Sequence, residues 1–209
     1  MGTPRESTRE KNHVRALDPT AGPRADAAGD CSLRAAVQEA NASAEADVIN
    51  LIDGDTYVLD IAGADEDAST GDLDVLGELD IVSGGTSTID ASALGDRIFD
   101  VQDGATLRLS DRVLTGGTAV DGDMAIGGAV LNAGVFEATN TVFDANNADR
   151  AGGAIESSAG STTTLTGVEL TGNETGPTPG NGGGFHLTGA GTVTITDSTV
   201  VGNVAANEG

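Results

Sequence analysis

The chain has 209 residues, and its 33 acidic against 10 basic side chains leave a formal net charge of −23. A surface of that sign repels nucleic acid and anionic membranes, and no stretch approaches the roughly 18 consecutive apolar residues of a membrane span, so neither nucleic acid nor membrane insertion is expected. With 31 Gly, four Phe, one Tyr and no Trp, the core must be built from small and β-branched residues, which favours a repetitive β architecture.

Residues 1–30 are polar, carry three prolines and offer no apolar face to bury. We predict that they form a disordered N-terminal arm. The segment lacks the apolar run of a secretory signal peptide.

A short amphipathic helix is predicted over residues 32–41. Counting from Leu33, apolar residues recur at i+3, i+4 and i+7, which places them on one stripe of a helix. Asp30 or Ser32 can accept hydrogen bonds from the free amides of the first turn. The single cysteine, Cys31, excludes an intrachain disulfide and a multi-cysteine zinc site.

Two short strands are predicted next, Val48–Leu51 and Tyr57–Ile61, on either side of a turn at Asp53-Gly54. From about Leu73 the chain then repeats itself. The repeating unit is a mostly apolar dyad whose second members are separated by 28, 29, 27 and 30 residues: Leu79-x-Ile81, Leu107-x-Leu109, Phe136-x-Ala138, Thr163-x-Leu165 and Val193-x-Ile195. Five residues after the dyad, the last four copies carry a second apolar column: Leu114, Phe143, Leu170 and Val200.

Residues typical of bends and turns recur at fixed places in the repeat. Between the two apolar columns the copies carry Asp111, Asn140, Gly167 and Asp197, all of which tolerate a bend. Three residues after the second column stand Gly117, Asn146, Asn173 and Asn203. We expect these asparagines to adopt the left-handed conformation and to bond their amides from copy to copy. Glycine pairs precede the last three copies, at Gly127-Gly128, Gly152-Gly153 and Gly182-Gly183, where a Cβ would clash.

A period of about 28 residues holding short strands indicates stacked coils, because one copy cannot bury its own apolar face. The expected fold is all-β, a right-handed parallel β-helix of about six coils over residues 31–209, capped at its N-terminal end by the 32–41 helix. Hairpins in a sandwich are the alternative, but they give no reason for a 28-residue register. Because the chain stops at Gly209, where another glycine pair is due, we expect the solenoid to be truncated at its C-terminal end.

Two groups of residues resemble known families. Gly152-Gly153-Ala154-Ile155 and Phe143-Asp144-Ala145-Asn146 resemble the GGAI and FxxN signatures of polymorphic outer-membrane-protein repeats. Residues 31–41, CSLRAAVQEAN, resemble the CSLREA-type region that precedes right-handed parallel β-helices in many surface proteins, and depart from it at Ala35-Ala36. The resemblance implies a capped β-helix in a secreted or cell-surface setting, and it implies no particular reaction.

Polysaccharide chemistry is the first enzymatic possibility, since many β-helices cleave acidic polysaccharides. A lyase needs a basic residue beside carboxylates, often with calcium. The basic side chains of the repeat region, all surrounded by acids, are Arg97, Arg108, Arg112 and Arg150. Arg108 and Glu137 occupy equivalent outward positions and are expected to form a surface ion pair, which is worth little energetically. The paired-Asp and Gly-His-Gly signatures of pectin-type hydrolases are missing, and a polyanionic substrate would meet a −23 surface.

Calcium is the metal that the acidic residues of the sequence suggest. The acidic loops Asp65-Glu66-Asp67 and Asp121-Gly122-Asp123 and the neighbouring Asp72, Asp74 and Asp80 supply carboxylates. Neither the EF-hand spacing nor the nonapeptide calcium-roll repeat is present, so solvation explains these acids better than a specific site. We therefore assign no metal ligands and no cofactor.

No catalytic residue can be named. His186 lies on a predicted strand without a fixed neighbour, His13 lies in the arm, and no Gly-x-Ser-x-Gly nucleophile motif is present. Cys31 opens the cap helix, where burial is the default for a thiol. Rows of outward threonines at 162, 164, 166 and at 192, 194, 196 resemble ice-binding ladders, but the array fails at Arg108, Val135 and Glu137.

The acid excess has two explanations. Lys11 is the only lysine, while Asp, Ala, Gly and Thr are abundant, a pattern that resembles proteins of high-salt organisms. An acidic extracellular protein from an ordinary source is the other explanation.

Together these observations favour a non-catalytic structural or adhesive β-helix module of a secreted or cell-surface protein. Its expected partners are carbohydrate or another surface protein, contacted through loops such as Gly116–Ile126 and Thr175–Asn181. The alternative is a polysaccharide lyase or hydrolase.

Overall fold

The computed structural model describes residues 12–14, 31–120, 125–177 and 179–207. Within them the chain forms a right-handed parallel β-solenoid of about five turns, with one short helix at its N-terminal end. The predicted fold class is confirmed, with about five turns among the described residues where about six coils were expected.

The strands, numbered in chain order, form four parallel sheets. Sheet A has seven strands: β1 (Asn12–Val14), β2 (Asp47–Asn50), β5 (Glu78–Val82), β8 (Thr106–Ser110), β12 (Val135–Thr139), β16 (Thr162–Thr166) and β20 (Thr192–Thr196). Sheet B has six: β3 (Thr56–Val58), β6 (Ser87–Asp90), β9 (Arg112–Thr115), β13 (Val142–Asp144), β17 (Glu169–Thr171) and β21 (Thr199–Val201). Sheet C has five: β4 (Leu73–Val75), β7 (Phe99–Val101), β11 (Val130–Asn132), β15 (Ile155–Ser157) and β19 (Phe185–Leu187). Sheet D has three short strands: β10 (Thr118–Ala119), β14 (Asn147–Ala148) and β18 (Glu174–Thr175).

Each turn of the solenoid takes one strand from sheets A, B and C in that order, and from the third turn onward a sheet D strand lies between B and C. Each strand therefore pairs with the equivalent strand of the next turn, and β20 and β21 begin a further turn. This winding explains the repeat, because a residue finds its partner one full turn along the chain.

Side chains one turn apart lie over one another in inward columns. On sheet A the column contains Ile49, Ile81, Leu109, Ala138, Leu165 and Ile195. On sheet B it contains Tyr57, Ile89, Leu114, Phe143, Leu170 and Val200. All but the last member of each column are buried. Each large side chain buried this way contributes about 1.5–3 kcal/mol to folding, so the columns form the core.

From the third turn onward, the predicted bend between sheets A and B is present, and in each turn one of its residues adopts the left-handed conformation. Asp111, Asn140, Gly167 and Asp197 have φ of +61°, +48°, +64° and +51°. Asn and Asp tolerate this region better than other residues with a Cβ. The corner residues of successive turns therefore also stack.

The predicted asparagine ladder is present, but its backbone conformation differs from the expectation. Asn173 Oδ1 accepts from the backbone N–H and the side-chain amide of Asn146, both at 3.0 Å. Asn173 in turn donates its side-chain amide to Asn203 Oδ1 at 2.8 Å. The left-handed residue is the one before each asparagine, such as Gly172 with φ +62°. The prediction that the asparagines themselves are left-handed was wrong. The preceding residue makes the bend, and the asparagine side chain bonds to the next turn.

The glycine pairs allow successive turns to approach closely. Gly152 has φ +60°, and a Cβ added to Gly153 would collide with the backbone carbonyl oxygens of Gly183 and Glu174. The predicted role of these pairs is confirmed.

The helix α1 (Leu33–Asn41) covers the first turn. Ser32 is its N-cap and accepts from the Ala35 N–H at 3.2 Å. Leu33 and Val37 are buried in the core cluster. The buried Arg34 donates to the backbone carbonyls of Ala68, Gly71 and Asp72 and so fixes the loop that precedes β4. No helix among the described residues is long and apolar enough to cross a membrane.

Some predicted segments differ or lie outside the description. In the expected arm, Asn12–Val14 forms a parallel strand against β2, whereas residues 1–11 and 15–30 lie outside the described residues. Residues 121–124 of one expected contact loop and residue 178 of the other also lie outside them. The second early strand ends at Val58 rather than Ile61, because beyond Leu59 the chain leaves sheet B for the loop before β4.

Candidate functional site

The outer face of sheet A carries a charged cluster at its N-terminal half. Arg108 projects outward from β8, and its guanidinium lies 3.0 Å from Glu137, 2.9 Å from Glu78 and 3.1 Å from Asp80. The predicted Arg108–Glu137 ion pair is confirmed, and two further carboxylates join it. These groups raise the pKa of Arg108 against the lowering effect of its partial burial. The cluster is partly exposed, so it orders the surface more than it stabilises the fold.

The C-terminal half of the same face carries the threonine rows. Thr162, Thr164 and Thr166 of β16 stand in register with Thr192, Thr194 and Thr196 of β20, as the repeat predicts. Neighbouring hydroxyls approach, with Thr166 and Thr196 at 3.3 Å. The outer face of sheet A thus changes from charged to uncharged side chains along the solenoid axis.

A second charged cluster lies at the N-terminal end of sheet C. Arg97 Nε lies 3.3 Å from Asp72, and Arg97 Nη1 lies 3.4 Å from Asp100. Burial raises the pKa of Asp72 to about 8 and of Asp100 to about 6, against the opposing effect of Arg97. Asp74 stacks beside Asp100 in the sheet register and is also buried, which raises its pKa. The loop before β4 covers this end of the sheet, because Ala68 N–H donates to Asp74 at 2.9 Å.

The acidic loop at residues 65–67 bonds to itself rather than to neighbouring acids. Asp65 is held by its own loop: its carboxylate accepts from the backbone N–H groups of Asp67, Ser69 and Thr70. Slight burial alone would raise the pKa of Asp65, but hydrogen bonds from Thr70 and Ser69 hold it below its usual range. Asp121 and Asp123 lie outside the described residues. Within the described part of the chain, no group of three His, Cys, Asp or Glu residues is placed to hold a metal ion.

The C-terminal end of sheet C holds a histidine–carboxylate pair that sequence reasoning missed. His186 of β19 is in register with Glu156 of β15. The Glu156 carboxylate is completely buried, and His186 Nδ1 lies 2.9 Å from Glu156 Oε2. Thr188 donates its hydroxyl to Glu156 Oε1 at 2.7 Å. The statement that His186 has no fixed neighbour is therefore corrected.

This pair could have been found from the sequence. The glycine pairs at Gly152 and Gly182 align Ile155 with Phe185, which places Glu156 directly under His186. The repeat register that aligns the apolar and turn residues therefore aligns this polar pair as well.

The pair has the geometry of an oriented imidazole. A buried carboxylate that accepts from Nδ1–H fixes the tautomer and leaves Nε2 to act as a proton acceptor. The His186 side chain is 28% exposed, and within the described residues Nε2 has no hydrogen-bond partner. The Thr188 hydroxyl donates to the carboxylate at 2.7 Å and lies 3.5 Å from His186 Nδ1, on the carboxylate side of the ring.

The remaining candidate residues are dispersed. Arg112 is completely buried, Arg150 lies in the loop before β15, and His13 lies in β1. Cys31 is a half-buried free thiol packed against the core, and burial, with Glu39, raises its pKa.

No family model, curated protein or solved structure matches the chain.

Proposed function

We propose that the chain is a non-catalytic structural or adhesive β-helix module of a secreted or cell-surface protein, and that the outer face of sheet A is its contact surface. The observation that carries this proposal is the ordered polar surface of that face, with Arg108 held among three carboxylates and threonine rows beside it. The setting at the cell surface is supported by the resemblance of residues 31–41 and of the repeats.

A stack of parallel strands suits such a role for a physical reason. Outward side chains on adjacent turns are held about 4.8 Å apart by the backbone ladder. Because the strands are already ordered, binding costs little further backbone entropy. The hydroxyl and paired ionic groups of this face suit carbohydrate or another surface protein as the partner.

The test is binding to immobilised glycans and surface-protein extracts by wild type and two variants. Thr164→Arg places a bulky cation on the outer face of sheet A, in β16. Thr171→Arg makes the same substitution on the half-buried outer side of β17 in sheet B and serves as the matched control. We expect Thr164→Arg to weaken binding at least tenfold and the control to bind as wild type. Equal binding by all three proteins would contradict the proposed surface.

The second candidate function is a polysaccharide lyase or hydrolase, and the His186–Glu156 pair is the observation that favours it. An oriented imidazole with a solvent-facing nitrogen is a suitable general base for abstracting a proton next to a sugar carboxylate.

A panel of acidic and neutral polysaccharides, with and without calcium, tests this candidate by absorbance of unsaturated products and by reducing ends. Product formed by wild type and lost in His186→Gln would establish the enzyme and overturn the non-catalytic proposal. Absence of product from every substrate would support the structural role.

A further inference from the structure

Arg112 is a buried cation at the corner between sheets A and B. It is the first residue of β9, and none of its surface is exposed. Its Nη1 donates to Ser83 Oγ at 2.7 Å and to the Asp111 carbonyl at 2.8 Å. Burial, with Asp111 and Tyr57 opposing it, lowers the pKa of Arg112 to about 10.

Several donors at this corner have no acceptor among the described residues. Arg112 Nε and Nη2 are buried without a hydrogen-bond partner. Ser87 is the register partner of Arg112 in the preceding turn, is 1% exposed, and its Oγ also lacks a partner. Three buried polar groups on two residues in register therefore have nothing to bond, although nearly all buried polar groups in proteins are paired.

Arg34 shows how the same chain satisfies a buried guanidinium elsewhere. Arg34 is 3% exposed, and its two terminal nitrogens donate to three backbone carbonyls. Arg97 and Arg108 lie beside carboxylates. Arg112, by contrast, lies within 4.0 Å of no carboxylate in the described part of the chain, since Asp111 turns its carboxylate toward Asn140.

Arg112 stands where the corner between sheets A and B changes from a longer segment to a single residue. A single residue, Asp111, joins β8 to β9. In the two preceding turns the same corner is made by the longer segments 51–55 and 83–86. The Arg112 side chain reaches toward these wider turns, because Nη1 contacts Ser83.

We propose that this corner binds a small monovalent anion of the halide class, chloride in solution, held by Arg112 Nε and Nη2 and by Ser87 Oγ. An unneutralised buried guanidinium is expensive, and a small anion supplies both the missing charge and the missing acceptor. A buried water would satisfy the donors without neutralising the cation, and it is the competing occupant.

Chloride titration at constant ionic strength tests the proposal. Chloride replaces gluconate, a much larger organic anion, while urea unfolding is measured. At chloride concentrations above the dissociation constant of the site, we expect the folding equilibrium constant to rise about tenfold for each tenfold rise in chloride concentration. This is the dependence that one bound anion per folded molecule requires. Constant ionic strength separates this effect from general screening of the −23 charge.

Three variants locate the effect. Arg112→Met fills the corner without charge and is expected to lose the chloride dependence, as a buried charge replaced by an apolar side chain is commonly tolerated. Ser87→Ala removes one donor and should weaken chloride binding severalfold while keeping the fold. Arg108→Met, on the surface, is the matched control and should respond to chloride as wild type does.

Crystals grown in sodium bromide provide a direct readout. We expect an anomalous peak within hydrogen-bond distance of Arg112 Nε or Nη2. Wild-type stability independent of chloride, an unchanged dependence in Arg112→Met or Ser87→Ala, or a water without anomalous signal at this place would each overturn the proposal.

Discussion

At the scale of residues, the asparagine ladder shows how side chains complete the hydrogen bonding of a bend. Asn173 is fully buried, accepts two hydrogen bonds from Asn146 and donates its side-chain amide to the Phe143 carbonyl at 2.9 Å. Without the Asn173 side chain, the Asn146 N–H and the Phe143 carbonyl, both in the preceding turn, would lose this partner. Each such group costs about 1–3 kcal/mol when left unpaired.

We therefore expect Asn173→Ala to lower the free energy of unfolding by about 2–4 kcal/mol. Asn203→Ala is the matched control, because Asn203 ends the ladder, is partly exposed and allows water to replace the lost amide. Its loss should be less than half as large. Urea unfolding followed by far-ultraviolet circular dichroism measures both, and equal losses would show that the ladder is not the source of the stability.

A second residue-scale prediction concerns pH. Burial raises the pKa of Asp72 to about 8 and of Asp100 to about 6, from an unfolded value near 3.8. Between about pH 4 and pH 8 the folded state thus binds more protons than the unfolded state. This contribution to stability is complete below pH 4 and is lost as the pH rises toward 8. The free energy of unfolding should fall in this window, by about 1–3 kcal/mol from Asp72 alone.

Asp72→Asn should flatten this pH dependence, whereas Asp80→Asn, in the Arg108 cluster, should leave it as in wild type. Chemical unfolding at a series of pH values from 4.5 to 8.5 compares the three proteins. The opposite slope, with stability rising toward pH 8, would mean that Arg97 stabilises the Asp72 carboxylate more than burial penalises it.

At the scale of elements, the loops that lead into sheet C depend on close approach between turns. Gly153 lies under the backbone of the next turn, with no room for a Cβ. Gly84, in the loop between β5 and β6, has an ordinary φ and nothing within 4 Å of the place where a Cβ would stand. Substitution of Gly153 therefore tests the steric requirement for glycine, and substitution of Gly84 tests only the effect of glycine on the flexibility of the unfolded chain.

Gly153→Ala is expected to destabilise the protein by more than about 3 kcal/mol, since the Cβ would meet backbone rather than a movable side chain. Gly84→Ala should be neutral or stabilising by up to about 1 kcal/mol, because it reduces the freedom of the unfolded chain. Thermal unfolding distinguishes them, and similar midpoints would show that successive turns can separate at this loop.

The elements also show how far sequence reasoning reaches. Ile81, Leu109 and Leu165 could be placed in one column because a solenoid converts a constant period into contact. The burial of Asp72 could not be predicted, because the loop that covers it belongs to no repeat. The burial of Arg112, by contrast, follows from strand alternation, because Arg112 stands two residues before the inward Leu114 and so on the same face of β9.

At the scale of the whole molecule, burial declines along the solenoid axis. Leu165 and Leu170 are completely buried, whereas Ile195 and Val200, their partners in the next turn, are 42% and 56% exposed. The first turn, in contrast, is covered by α1. Because each turn contacts only its neighbours, we expect local unfolding to begin at the C-terminal end, where the core residues are most exposed.

Hydrogen exchange should therefore follow a gradient. We expect amides of β20 and β21 to exchange roughly 100-fold faster than those of β12 and β13, corresponding to about 3 kcal/mol of local opening free energy. Amides of β2 should remain protected, because α1 packs against the first turn. Uniform protection throughout would instead indicate all-or-none unfolding of the whole solenoid.

The one-turn offset between equivalent residues makes the molecule adjustable in length. Val135 and Thr162 occupy the same place in successive turns, so excising residues 135–161 would bring β16 onto β8 without shifting any side chain to the opposite face. Asn173 would then receive the Gly117 N–H that Asn146 receives now. Duplication of the same segment would add one turn in the same way. Unequal recombination within the repeats could therefore change the number of turns, and so the length of the solenoid, without altering the cap.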